Sequence, residues 1–265
     1  MEKLILIKLG GSIITDKGRP FTAKENVIRR LGLEILEAKK RLKCNLIIGH
    51  GSGSFGHSVA TKYKTQEGYL GERSLKGLSF VSDAAIRINR IVISNFLKVG
   101  MAVISFSPAS FIFSKKQNTQ AALVEPMVEA LKIGAIPVVY GDIVFDKMAG
   151  FCIYSSEKTL NLLASKLKDR YKSIRIIYCG DTDGVYDGEG KTISRISSKN
   201  YNKYKKDILG SKEEDVTGGM LHKVEESLKI AKSQGIKTWI INGNKVGNLK
   251  KAILGELSIK TTVIS

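Results

Sequence analysis

An αβα sandwich, with a mainly parallel central sheet between two helical layers, is the α/β fold that this sequence predicts. Short apolar runs of strand character alternate with helix-like stretches from one end to the other, and five of those runs end in glycine-rich or polar loops. Buried strands alternating with helices imply a parallel sheet covered on both faces.

The strands are expected at 3–9, 44–49, 102–106, 135–140, 174–179, 237–242 and 260–264. Between the first two, Ile28, Leu31, Ile35 and Leu42 recur at helical spacing, with lysines and arginines on the opposite face. The stretch 82–99 reads as a second helix, with Ala85, Ile88, Ile91 and Val92 near one face. Segment 141–154 reads as a β-hairpin turning at Asp146-Lys147-Met148-Ala149-Gly150. There is no internal repeat, low-complexity tract or proline-rich linker, so residues 1–265 form one domain. A softer boundary near 168–174 would divide it into two lobes that share one sheet.

Composition narrows the class. Apolar residues make up 43% of the 265, ample for a folded core. No apolar run approaches the ~18 residues of a membrane span, and the first strand meets Lys8 and two glycines too early for a signal peptide. Cys44, Cys152 and Cys179 are odd in number and lie in separate apolar segments, which suits buried thiols in a reducing compartment. A cytoplasmic protein is therefore expected. The net charge of +18 attracts phosphates. Its lysines are scattered over helix faces, as in Lys39-Lys40-Arg41 and Lys203-Tyr204-Lys205-Lys206, with few aromatics between them. That pattern favours anionic small substrates over nucleic acid.

Ligands of open α/β sheets bind beyond the carboxyl ends of the strands. Here those ends carry Lys8 with Gly10, Gly11 and Ser12; the loop Gly49–His57; Gly141-Asp142; Gly180-Asp181-Thr182-Asp183-Gly184; and Asn242-Gly243-Asn244. Five such loops point to one shared cleft. Four glycines in 49–57 would let backbone N–H groups approach a phosphate, although the loop is neither a Walker loop nor a dinucleotide fingerprint. His57 closes it and could donate a hydrogen bond to that phosphate. Asp215-Val216-Thr217-Gly218-Gly219-Met220 opens a helix, with Asp215 or Thr217 as cap, and Lys223 follows about one turn in. Phosphoryl transfer needs positioning and positive charge more than a covalent catalyst. Lys8 and Lys223 could supply the charge, and Asp142, Glu157, Asp181 and Asp183 are the carboxylates available for a metal or for orienting the lysines. With three histidines and no convincing nucleophile elbow, a hydrolytic triad has little support.

Lys8-Leu9-Gly10-Gly11-Ser12, Asp181-Thr182-Asp183-Gly184-Val185-Tyr186 and Asp215–Met220 with Lys223 resemble, in order and spacing, the motifs of the amino acid kinase family. Gly53-Ser54-Phe55-Gly56-His57, Gly141-Asp142-Ile143-Val144 and Asn242-Gly243-Asn244 resemble the branch of that family that phosphorylates isopentenyl phosphate. The resemblance implies an amino acid kinase-like fold and a homodimer. It implies transfer of the γ-phosphate of ATP to isopentenyl phosphate with Mg²⁺, within an archaeal-type mevalonate route. It places the acceptor in the lobe of about 1–170 and ATP in that of about 171–265. Lys8, Lys17, His57 and Lys223 become the catalytic set, and Lys8, Gly10, Gly11, Ser12, Gly53, Asp181, Asp183, Gly219 and Lys223 the ATP contacts. Ser52, Gly56, His57 and Ser156 would hold the acceptor, and Glu157 would orient the lysines; no metal ligand is assigned. The branch usually reads Ser-Gly-Asp-Asp where this chain has Ser155-Ser156-Glu157-Lys158. The acceptor's tail pocket would be shaped by segments such as 78–91 and 101–113. Rival readings are a kinase of another phosphate or phosphonate, such as fosfomycin, and a non-catalytic anion- or RNA-binding protein on the same scaffold.

Overall fold

The computed structural model describes residues 2–63, 65–209, 219–256 and 258–265, apart from the side chains of His57, Ser58 and Leu209. Strands β1 (Lys3–Leu9), β2 (Cys44–His50), β3 (Val103–Ser105), β4 (Ile112–Lys115), β5 (Asn118–Ala122), β6 (Ile136–Tyr140), β7 (Asp142–Asp146), β8 (Gly150–Tyr154), β9 (Ser173–Gly180), β10 (Arg195–Ile196), β11 (Lys237–Asn242) and β12 (Thr261–Ile264) form two sheets. The larger has the order β10-β12-β11-β9-β1-β2-β6-β3, and the smaller β5-β4-β7-β8. In the large sheet β11 and β12 are antiparallel, while every other pair among the described residues is parallel. Strands before residue 170 fill one side of it and those after residue 173 the other, meeting where β1 pairs with β9.

β1 lies inside the sheet, and its side chains alternate between two cores. Ile5, Ile7 and Leu9 pack with Ile28, Leu31 and Ile35 of the helix Glu25–Arg41, and with Ile88 and Phe96 of the helix Glu72–Lys98. Leu4 and Leu6 pack on the opposite face against Leu160, Leu163 and Leu167 of the helix Ser156–Leu167, and near Val224 of the helix Gly219–Gln234. Two apolar layers on one sheet make the sandwich, and the period of two sends Lys8 to the face of the helix Ser156–Leu167.

The helix expected over 82–99 begins ten residues earlier, at Glu72. Leu75 and Phe80 in that first part are about half exposed, so no single apolar face marks it in the sequence. The hairpin of β7 and β8 turns as expected, but β4 and β5 beside it carry no turn signature. Their turn places Lys116 at φ 51° and Gln117 at φ 62°, positions that Asn or Gly usually fill. No helix among the described residues is long and apolar enough to cross a membrane.

Asp146, 3% exposed, joins both turns of the small sheet. Its carboxylate accepts from Ser114 Oγ at 2.8 Å and from the backbone N–H groups of Gln117 (2.8 Å), Met148 (2.9 Å), Ala149 (3.0 Å) and Lys116 (3.2 Å). Burial alone would raise its pKa, but these donors hold it well below the usual aspartate range. Such a group gives its full stabilisation above the unfolded-state pKa and loses it as pH falls through the lower folded value. Asp146→Asn should therefore cost roughly 2–4 kcal/mol at pH 7, and the gap to wild type in urea unfolding should narrow at pH 3. An equal gap at both pH values would refute the assignment.

Candidate active site

The C-terminal ends of β1, β2, β6 and β9 open onto one cavity of about 910 Å³, within the size range of small-molecule sites; β11 reaches it only through Ile240, and the expected fifth loop, Asn242-Gly243-Asn244, does not line it. A glycine just past four of these strands donates its N–H to a carbonyl on the neighbouring strand or its end. Gly10 bonds Cys179 at 2.8 Å, Gly51 bonds Leu9 at 3.0 Å, Gly141 bonds His50 at 3.1 Å, and Gly243 bonds Gly180 at 2.7 Å. The loops are thus stitched side by side before they diverge, which satisfies backbone groups that would otherwise be orphaned. Gly11 and Gly53 meet where a Cβ on Gly11 would come within 2.6 Å of the Gly53 Cα. Gly53 itself sits at φ +49°, which glycine adopts without strain.

Lys8, 7% exposed, reaches the floor of the cavity and places Nζ 2.6 Å from Glu157 Oε1. Glu157 is in the first turn of the helix Ser156–Leu167, capped by the Ser155 hydroxyl, which accepts from the Lys158 N–H at 3.2 Å. Burial would raise the Glu157 pKa, but the Lys8 ammonium, with Lys223 behind it, holds it at about 2. Glu157 is therefore a charged carboxylate that feels lysines from both halves of the sheet. The Ser156 Oγ donates to Glu157 Oε2 at 3.2 Å.

Of the residues singled out from the sequence, Lys8, Gly10, Gly11, Ser12, Lys17, Ser52, Gly53, Gly56, Ser156, Glu157, Asp181 and Lys223 all line the cavity. Two do not. Gly219 is the first residue of a helix whose Met220, His222 and Lys223 line the cavity. The Asp183 carboxylate turns to Lys245, with Oδ2 2.7 Å from Nζ, and that contact lowers its pKa. The expected cap at Asp215 or Thr217, with Val216 and Gly218, lies outside the described residues. So does the side chain of His57, whose backbone opens the helix His57–Tyr63 beside the glycine loop. Segment 78–91 contributes Val81 and Ala85 to an apolar end of the cavity with Ala60 and Ile153, whereas no residue of 101–113 lines it.

Gln117, Tyr154, Lys158, Tyr178 and His222 also face the cavity. Gln117 arrives on the β4–β5 turn, for which the sequence offers no signal. His222 could have been found from its place beside Lys223. The third histidine, His50, is fully buried, stacks on Tyr140 and lies 3.1 Å from Asn89 Nδ2. Burial lowers its pKa to about 4, which makes it a neutral core residue.

The pattern of the amino acid kinase family matches residues 3–242. An isopentenyl phosphate kinase of Methanocaldococcus jannaschii is 34% identical over 262 residues, covering 96% of each chain. One from Methanothermobacter thermautotrophicus is 31% identical over 271 residues, again covering 96% of each. A crystal structure of an isopentenyl phosphate kinase superposes with a TM-score of 0.81 at 28% identity, covering 99% of this chain and 100% of the other.

Asp142 lines the cavity at the start of β7, yet is 2% exposed. Burial raises its pKa to about 7, against partial relief from the Ile143 N–H at 2.7 Å and the Ser82 hydroxyl at 3.4 Å. Between the ordinary aspartate value and 7, the folded chain keeps a proton that the unfolded chain has lost, so stability falls as pH rises through that window. Asp142→Asn should flatten the decline: relative to wild type, the variant should gain of order 2 kcal/mol between pH 5 and pH 8. Urea unfolding at the two pH values measures this, and parallel behaviour of both proteins contradicts a protonated Asp142.

Proposed function

The chain belongs to the amino acid kinase family, and from that premise we propose that it transfers the γ-phosphoryl group of ATP to isopentenyl phosphate, giving isopentenyl diphosphate and ADP. The observation that carries this reading is the buried Lys8–Glu157 pair at the floor of a cavity that Lys17, Lys158 and Lys223 also line. The names of the full-length relatives supply the acceptor.

An acceptor phosphate oxygen forms the new bond to the γ-phosphorus, and the bond from that phosphorus to the β,γ-bridging oxygen breaks. A phosphate monoester has a second pKa near 6, so at neutral pH the acceptor is already nucleophilic and needs no general base. The protein's task is to hold two anions in line and to offset charge on the moving group. Lys8 and Lys223 do this from opposite sides, Glu157 orients them, and Lys17 approaches from the opening loop. Gly10, Gly11, Ser12, Gly53, Asp181 and the start of the helix Gly219–Gln234 receive the nucleotide. Ser52, Gly56, His57 and Ser156 receive the acceptor phosphate, and Val81, Ala85 and Ile153 receive its apolar tail. The lobe before about residue 170 thus takes the acceptor and the later lobe takes ATP. Asp183, turned toward Lys245, supports the loop from outside. Among the described residues no three carboxylate, histidine or cysteine side chains gather as a metal cage. Asp181, on the cavity lining, is the carboxylate that would hold a Mg²⁺ ion carried in with the nucleotide, and the ion would neutralise phosphate charge. Homodimerisation belongs to the same proposal, and sedimentation of the full chain reads it.

ATP consumption should depend on added isopentenyl phosphate; equal consumption without it rejects the reaction. Lys223→Ala, and Lys8→Ala checked for folding, should each lower kcat by roughly 10²–10⁴. An unchanged kcat in folded Lys223→Ala protein removes that lysine from the mechanism. His57→Ala should depress kcat/KM for isopentenyl phosphate while leaving KM for ATP nearly unchanged. The reverse pattern would move His57 to the nucleotide.

A further inference from the structure

Lys158 stands where electrostatics disfavour a cation. It is the third residue of the helix Ser156–Leu167, in the first turn, where the helix dipole is positive. The neighbouring carboxylate is already engaged: Glu157 Oε1 by Lys8 and Oε2 by the Ser156 hydroxyl. Among the described residues no carboxylate pairs with Lys158, and its Nζ rests 5.9 Å from the centroid of the Tyr154 ring. The side chain nevertheless lines the cavity. An ammonium at the positive end of a helix costs stability unless an anion joins it. Tyr154 ends β8 and follows Cys152 and Ile153 on the wall built by the small sheet. Gly180, Asp181 and Thr182 lie on the other half of the large sheet. Lys158 therefore faces the cavity from the small-sheet side, beside Tyr154.

Resting on the acceptor assignment above, we propose that Lys158 is a binding residue for the acceptor's phosphate, supplying a cation that Lys8, Lys17 and Lys223 do not. Lys158→Met keeps the aliphatic stem over Tyr154 and removes the charge. It should raise KM for isopentenyl phosphate roughly 10- to 100-fold, the range for one charge-assisted hydrogen bond. KM for ATP and kcat should stay within about threefold, and Lys158→Arg should recover most of the affinity. Thermal unfolding separates this from packing: losing a cation at a helix N-terminus should leave the Tm equal or higher, whereas a structural lysine would lower it. An unchanged KM for the acceptor, a rise confined to KM for ATP, or a lowered Tm without a KM effect overturns the proposal. If wild type does not turn over isopentenyl phosphate, the parent reading fails by itself. Calorimetry with inorganic phosphate then decides: binding at least tenfold weaker in Lys158→Met supports the site, and equal affinity rejects it.

Discussion

The contact between Lys8 and Glu157 joins residues 149 positions apart and sits at 9% and 7% side-chain exposure. A buried ion pair is seldom a net gain over apolar packing, because taking both charges out of water costs several kcal/mol per ion. Removing one partner is worse, since the other charge is left buried alone. β1 therefore can neither slip its register nor let the helix Ser156–Leu167 shift without exposing that cost. The alternation that buries Leu4 and Leu6 against this helix is the same alternation that delivers Lys8 to Glu157. Fold and site share one geometric constraint.

The glycines complete what the ion pair begins. Gly10, Gly51, Gly141 and Gly243 each bond across to an adjacent strand or its end. Gly11 and Gly53 bring two backbones closer than any side chain would permit. The cavity lining at this level is largely glycine backbone, which lets a phosphate approach closely without reading its substituents. Selectivity then falls to the few side chains that rise beyond the backbone, which come mostly from helix starts and from the turns of the small sheet.

Much of this was legible in the sequence because strand ends and glycines are local signals. The seven strands expected in the large sheet are all present, and Lys8, Glu157, Asp181 and Lys223 share the cleft that their positions predicted. What stayed hidden depends on tertiary contacts. Residues Lys116 and Gln117 adopt positive φ under four backbone bonds to Asp146, a carboxylate whose turn-fixing role has no local signature. The early part of the helix Glu72–Lys98 exposes Leu75 and Phe80, which blurs its period. Asp183 carries the family motif, yet a lysine 62 residues away takes its carboxylate. Such pairings follow from how distant loops converge, which no spacing within a motif encodes.

Charge ties the site to the proposed reaction. Two unit charges 4 Å apart repel by about 4 kcal/mol at an effective dielectric of 20. Bringing a dianionic acceptor in line with a nucleotide γ-phosphate repeats that penalty over several pairs. A carboxylate acceptor, with one charge, would meet far less of it. Lys8, Lys17, Lys158 and Lys223 line the same cavity; of the three carboxyl groups beside them Glu157 is committed to Lys8, burial favours a proton on Asp142, and Asp181 is the third. Four ammonium groups thus face three carboxyl groups in one cavity lining, an excess of positive charge where the two anions meet. That surplus suits a phosphate acceptor on electrostatic grounds alone, independently of which apolar tail the acceptor carries.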